Sequence, residues 1–342
     1  MNSIGLNIAD TNGEVIKMII TPKDSMNTIQ SKLNSARDIK FTPGTYNITK
    51  QLIIPANAKI NLNGATLRRK ANIQSIFINK VSNNSTRYSG AGNIIIYNGT
   101  FEGMGGYSYD NLVTFFHSHD VIITDCIFKD ILCHAIEINS SKDVKILNCK
   151  FLGYNLKDKD SAYKECIQID HAGYSGLVIA GSTRNSKCYD GTCCDGITIQ
   201  KCKFSKSEYR DYPYACIGEH SQLRGNYKHK NIDISYNTFE CKLNPDLKQP
   251  CLSLTSMENV NIYLNTFYCY KVARIYSKAT SYDLTGKSVT AGDGDGICKD
   301  ISISNNIING CKNAKDAFQQ YNKSGKINHT NINKGGNTYG IS

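Results

Sequence analysis

Tryptophan is absent from this 342-residue chain, so any stacking of sugars falls to its 21 tyrosines. No apolar run approaches the about 18 residues that a membrane-crossing helix needs. The amino terminus, MNSIGLNIADTNGEVIK, lacks an apolar h-region, and Sec export is therefore not expected. Basic residues are plentiful but scattered singly across turns. Without a basic run or an aromatic-basic module, nucleic acid is not the expected partner.

What the chain does have is repetition. Seven short apolar strands each run into a small or amide residue placed two before a bulky apolar one. The segments are IIIYNGTF ending at Phe101, VIITDCIF at Phe128, VKILNCKF at Phe151 and ITIQKCKF at Phe204. IDISYNTF at Phe239, VNIYLNTF at Phe267 and ISISNNII at Ile308 complete the set. Stacked, they give one column of Gly99, Cys126, Cys149, Cys202, Asn237, Asn265 and Asn306, beside a column of Phe and Ile. A repeat that keeps its turn residue while its loops vary in length reads as a solenoid of parallel strands. The expected fold is therefore all-β, a solenoid of parallel strands.

Composition agrees. Hydrophobic residues make up 40% of the chain, in short runs rich in Ile, Val, Tyr and Thr, which suit strands. The formal net charge of +11 favours an anionic partner. Six of the 14 cysteines recur at equivalent places, Cys126, Cys149 and Cys202 at one turn and Cys166, Cys216 and Cys251 at a strand start. Such stacks read as reduced, small apolar spacers. The exception is Cys188, Cys193 and Cys194 in KCYDGTCCDG, where a metal site would need a fourth ligand and more regular spacing. No metal site is assigned.

Residues 1–22 read as an arm containing a short strand. Asp24-Ser25 then offers an N-cap, and Met26, Ile29, Leu33 and Ala36 follow at helical spacing, a short helix suited to plug the open end of the solenoid. The coils run from 23 to 310, and 311–342 reads as an irregular last coil or C-terminal tail.

A second strand precedes each repeat: LVTFFH (112–117), AIEINS (135–140), CIQIDH (166–171), CIGEHS (216–221), CLSLTS (251–256) and VARIYS (272–277). Period-two alternation turns Ile136/Ile138, Ile167/Ile169 and Leu252/Leu254 inward. Two outward columns result: Thr114, Glu137, Gln168, Gly218, Ser253, Arg274, and Phe116, Asn139, Asp170, His220, Thr255, Tyr276. Loops 152–165, 205–215, 171–195 and 277–299 flank this polar strip, as loops that wall a groove do.

These residues resemble the pectin-lyase-like right-handed parallel β-helix superfamily, and within it the phage tailspike and polysaccharide-depolymerase group. The helix with IKFTPGTYNITKQLIIPANAKINLNGATL resembles the opening module of such spikes. HAIEINSSKDVKILNCKF, ECIQIDHA and ACIGEHS resemble their core coils. A further similarity, to polygalacturonase-type hydrolases, rests on the order Asp170, His220, Arg274-Ile275-Tyr276. This chain departs from that pattern in lacking an adjacent Asp pair and in having Tyr276 in place of Lys. The resemblance implies action on a polysaccharide.

The strip supplies the residues such chemistry needs. Glycoside hydrolysis takes an acid and a base on opposite sides of the scissile bond. Glu137 and Asp170 differ by one rung and two positions, roughly 8 Å between backbone anchors. His220 is expected beside Asp170 in one column. Strict alternation would point Glu219 into the core, and Gly218 suggests a bulge turning it outward. Asp170, Glu137, Glu219 and His220 are thus the catalytic candidates. Arg274, Gln168, His171, Asp190, Tyr276 and Tyr214 are candidates for binding substrate. His117, His119 and His134 are peripheral, and Tyr163, Tyr209 and Tyr212 lie in or beside the loops.

Three functions fit. The leading one is a hydrolase that depolymerises an anionic glycan or teichoic-acid-like chain and needs no cofactor. The second is a lyase of uronic-acid polymers, with Arg274 or His220 as base and Ca²⁺ held by an acidic cluster. The third is a host-binding spike that grips sugars without cutting them. A virion tail or another extracellular setting is expected from the spike-like opening module, and a side-by-side homotrimer from the bare end of a parallel solenoid.

Overall fold

The computed structural model describes residues 8–9, 15–16, 18–103, 111–131, 133–154, 165–173, 186–213, 215–219, 221–241, 250–323 and 328–340. The chain winds through three long parallel sheets in fixed rotation. Among the described residues, sheet 1 has eleven strands, sheet 2 ten and sheet 3 nine. Each coil contributes one strand to each sheet, for instance Lys142–Leu147, Lys150–Tyr154 and Glu165–Asp170.

The repeat expected from sequence is the passage from sheet 1 to sheet 2. Phe101, Phe128, Phe151, Phe204, Phe239, Phe267 and Ile308 pair rung to rung in sheet 2. Their rings stack inside the coil, with Phe151 and Phe204 4.7 Å apart between centroids and Phe204 and Phe239 4.8 Å. Between the two sheets the chain turns through a left-handed residue on every coil: Asn98, Asp125, Asn148, Lys201, Tyr236, Leu264 and Asn305 all have φ between 53° and 61°. Asn and Asp tolerate that conformation, but Leu and Tyr do so only under compulsion.

The compulsion comes from the next residue. Asn237 Nδ2 donates to Ile199 O at 2.9 Å and to Asn265 Oδ1 at 3.0 Å, and Asn265 repeats the pattern with Ile234 O and Asn306 Oδ1. Asn306 continues it to Asn337. In the earlier coils the thiols of Cys126, Cys149 and Cys202 occupy the same place and aim at the carbonyls of Ile96, Ile123 and Ile146. These cysteines are hydrogen-bonded turn residues as well as small spacers.

The helix α1 (Met26–Ser35) closes the first coil. Ser25 caps it by accepting from Thr28 N at 3.1 Å, and Ile29 and Leu33 are fully buried. Gln30 also satisfies the open edge of sheet 3: its Nε2 donates to Ile53 O at 2.9 Å and its Oε1 accepts from Ile53 N at 2.7 Å. The end of the chain departs from expectation. Phe318–Asn322, Thr330–Asn333 and Thr338–Gly340 add one strand to each sheet, so these three strands continue the regular stack. Met18–Ile20 likewise belongs to sheet 1, which therefore begins within the region read as an arm.

Candidate functional site

Sheet 3 carries the polar strip, and its register is the expected one. Thr114 pairs with Glu137, Glu137 with Gln168, Gln168 with Gly218, Gly218 with Ser253 and Ser253 with Arg274. Gln319 extends this column beyond Arg274. In the second column Phe116, Asn139 and Asp170 are consecutive, and Tyr276 pairs with Tyr321. His220 and Tyr214 lie outside the described residues, as does Tyr163.

The strip is not an open groove. Asp170 is 1% exposed and Glu219 is 0% exposed, while Glu137 and Arg274 nearer the ends are half-buried. Burial forces each polar atom to find a partner. Asp170 Oδ2 accepts from Gln168 Nε2 at 2.9 Å, and Oδ1 accepts from His171 N at 2.7 Å and lies 3.1 Å from His171 Nδ1. Glu137 accepts from Asn139 Nδ2 at 2.8 Å and from Asn111 Nδ2.

Glu219 reaches this cluster by leaving its strand early. Ala215–Gly218 stops where Glu165–Asp170 continues. A β-carbon at Gly218 would meet Ser253 O at 2.6 Å, so only glycine permits this approach to the next rung. The expected outward bulge is thus corrected: Glu219 turns to the corner between sheets 3 and 1. There its Oε1 accepts from Ser221 N and its Oε2 lies 3.0 Å from His229 Nε2 and 3.9 Å from His171 Nδ1.

His229 was not singled out from the sequence. It opens the sheet 1 strand His229–Ser235, in register with Met257. Its Nδ1 accepts the backbone N–H of Cys194 at 3.0 Å, which leaves the ring proton on Nε2, aimed at Glu219. The signal was a second turn column. The third residue of His-Lys-Asn-Ile (229–232) is left-handed, and so are its equivalents Asp120, Asp143, Asn259, Asp300 and Asn331. His329 copies His229, accepting from Cys298 N at 2.9 Å.

Electrostatics follow from burial. Loss of solvent and then the charge of Asp170 push the Glu219 carboxyl well above the usual carboxylate range. Burial pushes His229 down to about 3, so its ring is neutral. Burial thus favours the neutral form of Glu219, which stands beside an Asp170 whose two oxygens are hydrogen-bonded.

His171, Glu219 and His229 place a ligand atom each within 4.8 Å of one another. The donor set does not fit a metal ion. A bare Nε2 on His229 would require the proton on Nδ1, which faces the N–H of Cys194. Nor is a site with two imidazoles suited to Ca²⁺, which takes oxygen ligands.

The other binding candidates have structural employment. Asp190 accepts from Arg87 N at 2.7 Å and Thr192 N at 2.9 Å, pinning its loop to the 82–90 segment. Tyr276, expected as a sugar platform, is 4% exposed and donates its hydroxyl to Glu219 O at 3.1 Å. Arg274 and Lys278 lie 5.7 and 6.0 Å from the centre of its ring, and Arg274 Nε is 3.4 Å from Gln319 Oε1. Lys323 sits 5.4 Å over Tyr321, the exposed tyrosine next in the column. Three cations thus gather on two tyrosines at the C-terminal end of the strip. In KCYDGTCCDG, Cys188 and Cys194 point their thiols at backbone carbonyls and all three cysteines are free.

No known protein-family model matches the chain. A curated relative, the plasmin and fibronectin-binding protein A of Streptococcus pneumoniae, is 34% identical over 129 residues, 36% of this chain and 17% of that protein. The match therefore spans less than a fifth of the relative's length. A crystal structure of PfbA, a surface adhesin of the same species, superposes with a TM-score of 0.68 at 19% identity, covering 94% of this chain and 87% of the other. The polygalacturonase of Erwinia carotovora superposes with a TM-score of 0.57 at 10% identity, covering 95% and 92%. With its three parallel sheets wound coil upon coil, the chain has the right-handed parallel β-helix fold that these structures share.

Proposed function

We propose that this chain acts on an anionic polysaccharide along the outer face of sheet 3, hydrolysing a glycosidic bond with Glu219 as acid and Asp170 as base. One observation carries the reading: two carboxyls from neighbouring coils share a buried polar nest in which burial raises the Glu219 carboxyl and Asp170 is hydrogen-bonded. Glu219 would pass its proton to the leaving oxygen and Asp170 would accept one from the attacking water. His171, 3.1 Å from Asp170 and 3.9 Å from Glu219, orients the pair. Arg274, Lys278 and Lys323 would hold the anionic groups of the polymer. Polygalacturonase, a pectic-polymer enzyme by its name, has this fold and supports the class of substrate.

A second reading is a surface adhesin that grips a polymer without cutting it. The burial of Asp170 and Glu219 favours it, as does the likeness to PfbA. That relative also favours a bacterial surface over a virion as the working site. The readings separate in one experiment. Purified protein is incubated with a panel of acidic glycans and teichoic acids, followed by size-exclusion chromatography and ultraviolet absorbance. Hydrolysis lowers the polymer's mass and releases reducing ends; the adhesin retains polymer at unchanged mass; a lyase adds near-ultraviolet absorbance. Full activity in Asp170→Asn would end the assignment of the base.

A further inference from the structure

The cysteines of sheet 3 and those at the exits of sheet 2 meet at one inner corner. Cys216 and Cys251 begin consecutive sheet 3 strands and are joined by the Cys216 N–H donating to Cys251 O at 2.8 Å. Cys241 follows the sheet 2 strand Thr238–Glu240, and Cys269 follows Thr266–Tyr268. Four cysteines from three successive coils are thereby brought together, all of them buried.

Their sulfurs form the tightest thiol group among the described residues. Cys126, Cys149 and Cys202 each aim at a backbone carbonyl, and Cys311 does the same with Cys269 O at 3.3 Å. At the corner the thiols face one another instead. Cys216 and Cys241 Sγ are 3.5 Å apart, and Cys216, Cys241 and Cys251 lie mutually within 4.8 Å. Cys269 neighbours Cys241 and Cys251, and the backbone amide of Lys271 lies beside its thiol. In a tetrahedral thiolate site with metal–sulfur bonds of about 2.3 Å, neighbouring sulfurs are about 3.8 Å apart. Cys216, Cys241 and Cys251 come near that spacing, and Cys269 stands at the edge of the group as the fourth thiol.

We propose that Cys216, Cys241, Cys251 and Cys269 bind a single thiophilic ion, Zn²⁺ or a chemically similar soft ion, that ties three coils together. Each ligating thiol releases its proton to solvent as the ion enters, and the Lys271 amide supports one of the resulting thiolates. The site is enclosed in the core, so loading accompanies folding. The role is structural, and it is independent of the chemistry on the outer face of sheet 3.

The test uses the full chain, unfolded under reducing conditions without oxygen and refolded with Zn²⁺ or Co²⁺. The expected result is one tightly held ion per chain by elemental analysis, with Co²⁺ giving sulfur-to-metal charge-transfer and tetrahedral visible bands. Adding the metal raises the thermal midpoint of the wild type. Cys241→Ser and Cys251→Ser lose the Co²⁺ spectrum, whereas Cys149→Ser, from a carbonyl-facing stack, retains it. Because the serine variants can misfold, the wild-type spectrum is decisive. A refolded wild type that takes up no metal overturns the proposal. So does alkylation in denaturant without reductant that leaves Cys216 and Cys241 unmodified, since that identifies a disulfide at the 3.5 Å contact.

Discussion

His229 Nε2 lies 3.0 Å from Glu219 Oε2, while the other ring nitrogen takes the backbone N–H of Cys194. A neutral imidazole is therefore fixed in one tautomer and one orientation, donating to a carboxyl with no access to water. Protonating His229 would break its contact with the Cys194 amide, and ionising Glu219 would place an anion in the core, so the pair is a source of predictions.

The first concerns acid. His229 has its folded-state value depressed to about 3 against 6.5 in the unfolded chain. Between those values the unfolded state binds the extra proton, so His229's contribution to stability is intact above pH 6.5 and lost as pH falls. The slope expected from this group is about 1.4 kcal/mol per pH unit. His229→Gln, which keeps a donor toward Glu219, should flatten the acid limb of denaturant unfolding measured from pH 7 to pH 4. An unchanged slope rules out a buried neutral His229.

Glu219 acts in the opposite sense. Its folded-state value is raised, so its contribution is present below the unfolded value of 4.5 and is lost as pH rises through the folded one. Glu219→Gln imitates the protonated side chain. We expect a thermal midpoint equal to or above the wild type at pH 8, together with a loss of polymer cleavage of roughly 10²–10⁴-fold, the usual worth of a general acid. Retained cleavage would remove Glu219 from the mechanism.

The cation group at the end of the strip should govern binding. Arg274→Ala is expected to weaken retention on an acidic glycan column about tenfold, since a hydrogen bond to a charged group contributes roughly 1.5–3 kcal/mol. The difference should shrink with added salt. Equal elution of variant and wild type would move the polymer contact elsewhere.

The asparagine ladder and the cysteine stack occupy one column but differ in what they satisfy. Asn265→Ala strands the Asn237 amides and the Ile234 carbonyl, and should cost on the order of 3 kcal/mol. Cys149→Ala loses a weak sulfur contact and should cost about 1 kcal/mol. Urea unfolding of the two variants compares them directly, and equal losses would contradict a ladder of strong hydrogen bonds.

Phe204→Ala opens a hole in a continuous stack, with Phe151 at 4.7 Å on one side and Phe239 at 4.8 Å on the other. The expected loss is about 3–5 kcal/mol, measurable by the same unfolding experiment.

Periodicity alone determined the coil, the Phe column, the turn column and the rung-by-rung order Glu137, Gln168, Gly218, Ser253, Arg274. Backbone pairing repeats at a fixed spacing, so whatever repeats in the chain repeats in space. The last strands were read only as an irregular coil or tail, since Tyr339 replaces the Phe or Ile of the repeat. What lies beside a coil is a different matter. That Asp170 and Glu219 are roofed over, that Tyr276 is spent on a backbone carbonyl, and that Asp190 holds a loop all depend on where irregular loops settle. Those positions follow no period, and burial of one side chain depends on distant segments. The partnership of His229 with Glu219, and the meeting of four thiols from three coils, arise at corners where two sheets converge. Only the tertiary structure brings those corners together, because the residues concerned belong to different repeats and no one repeat contains the set.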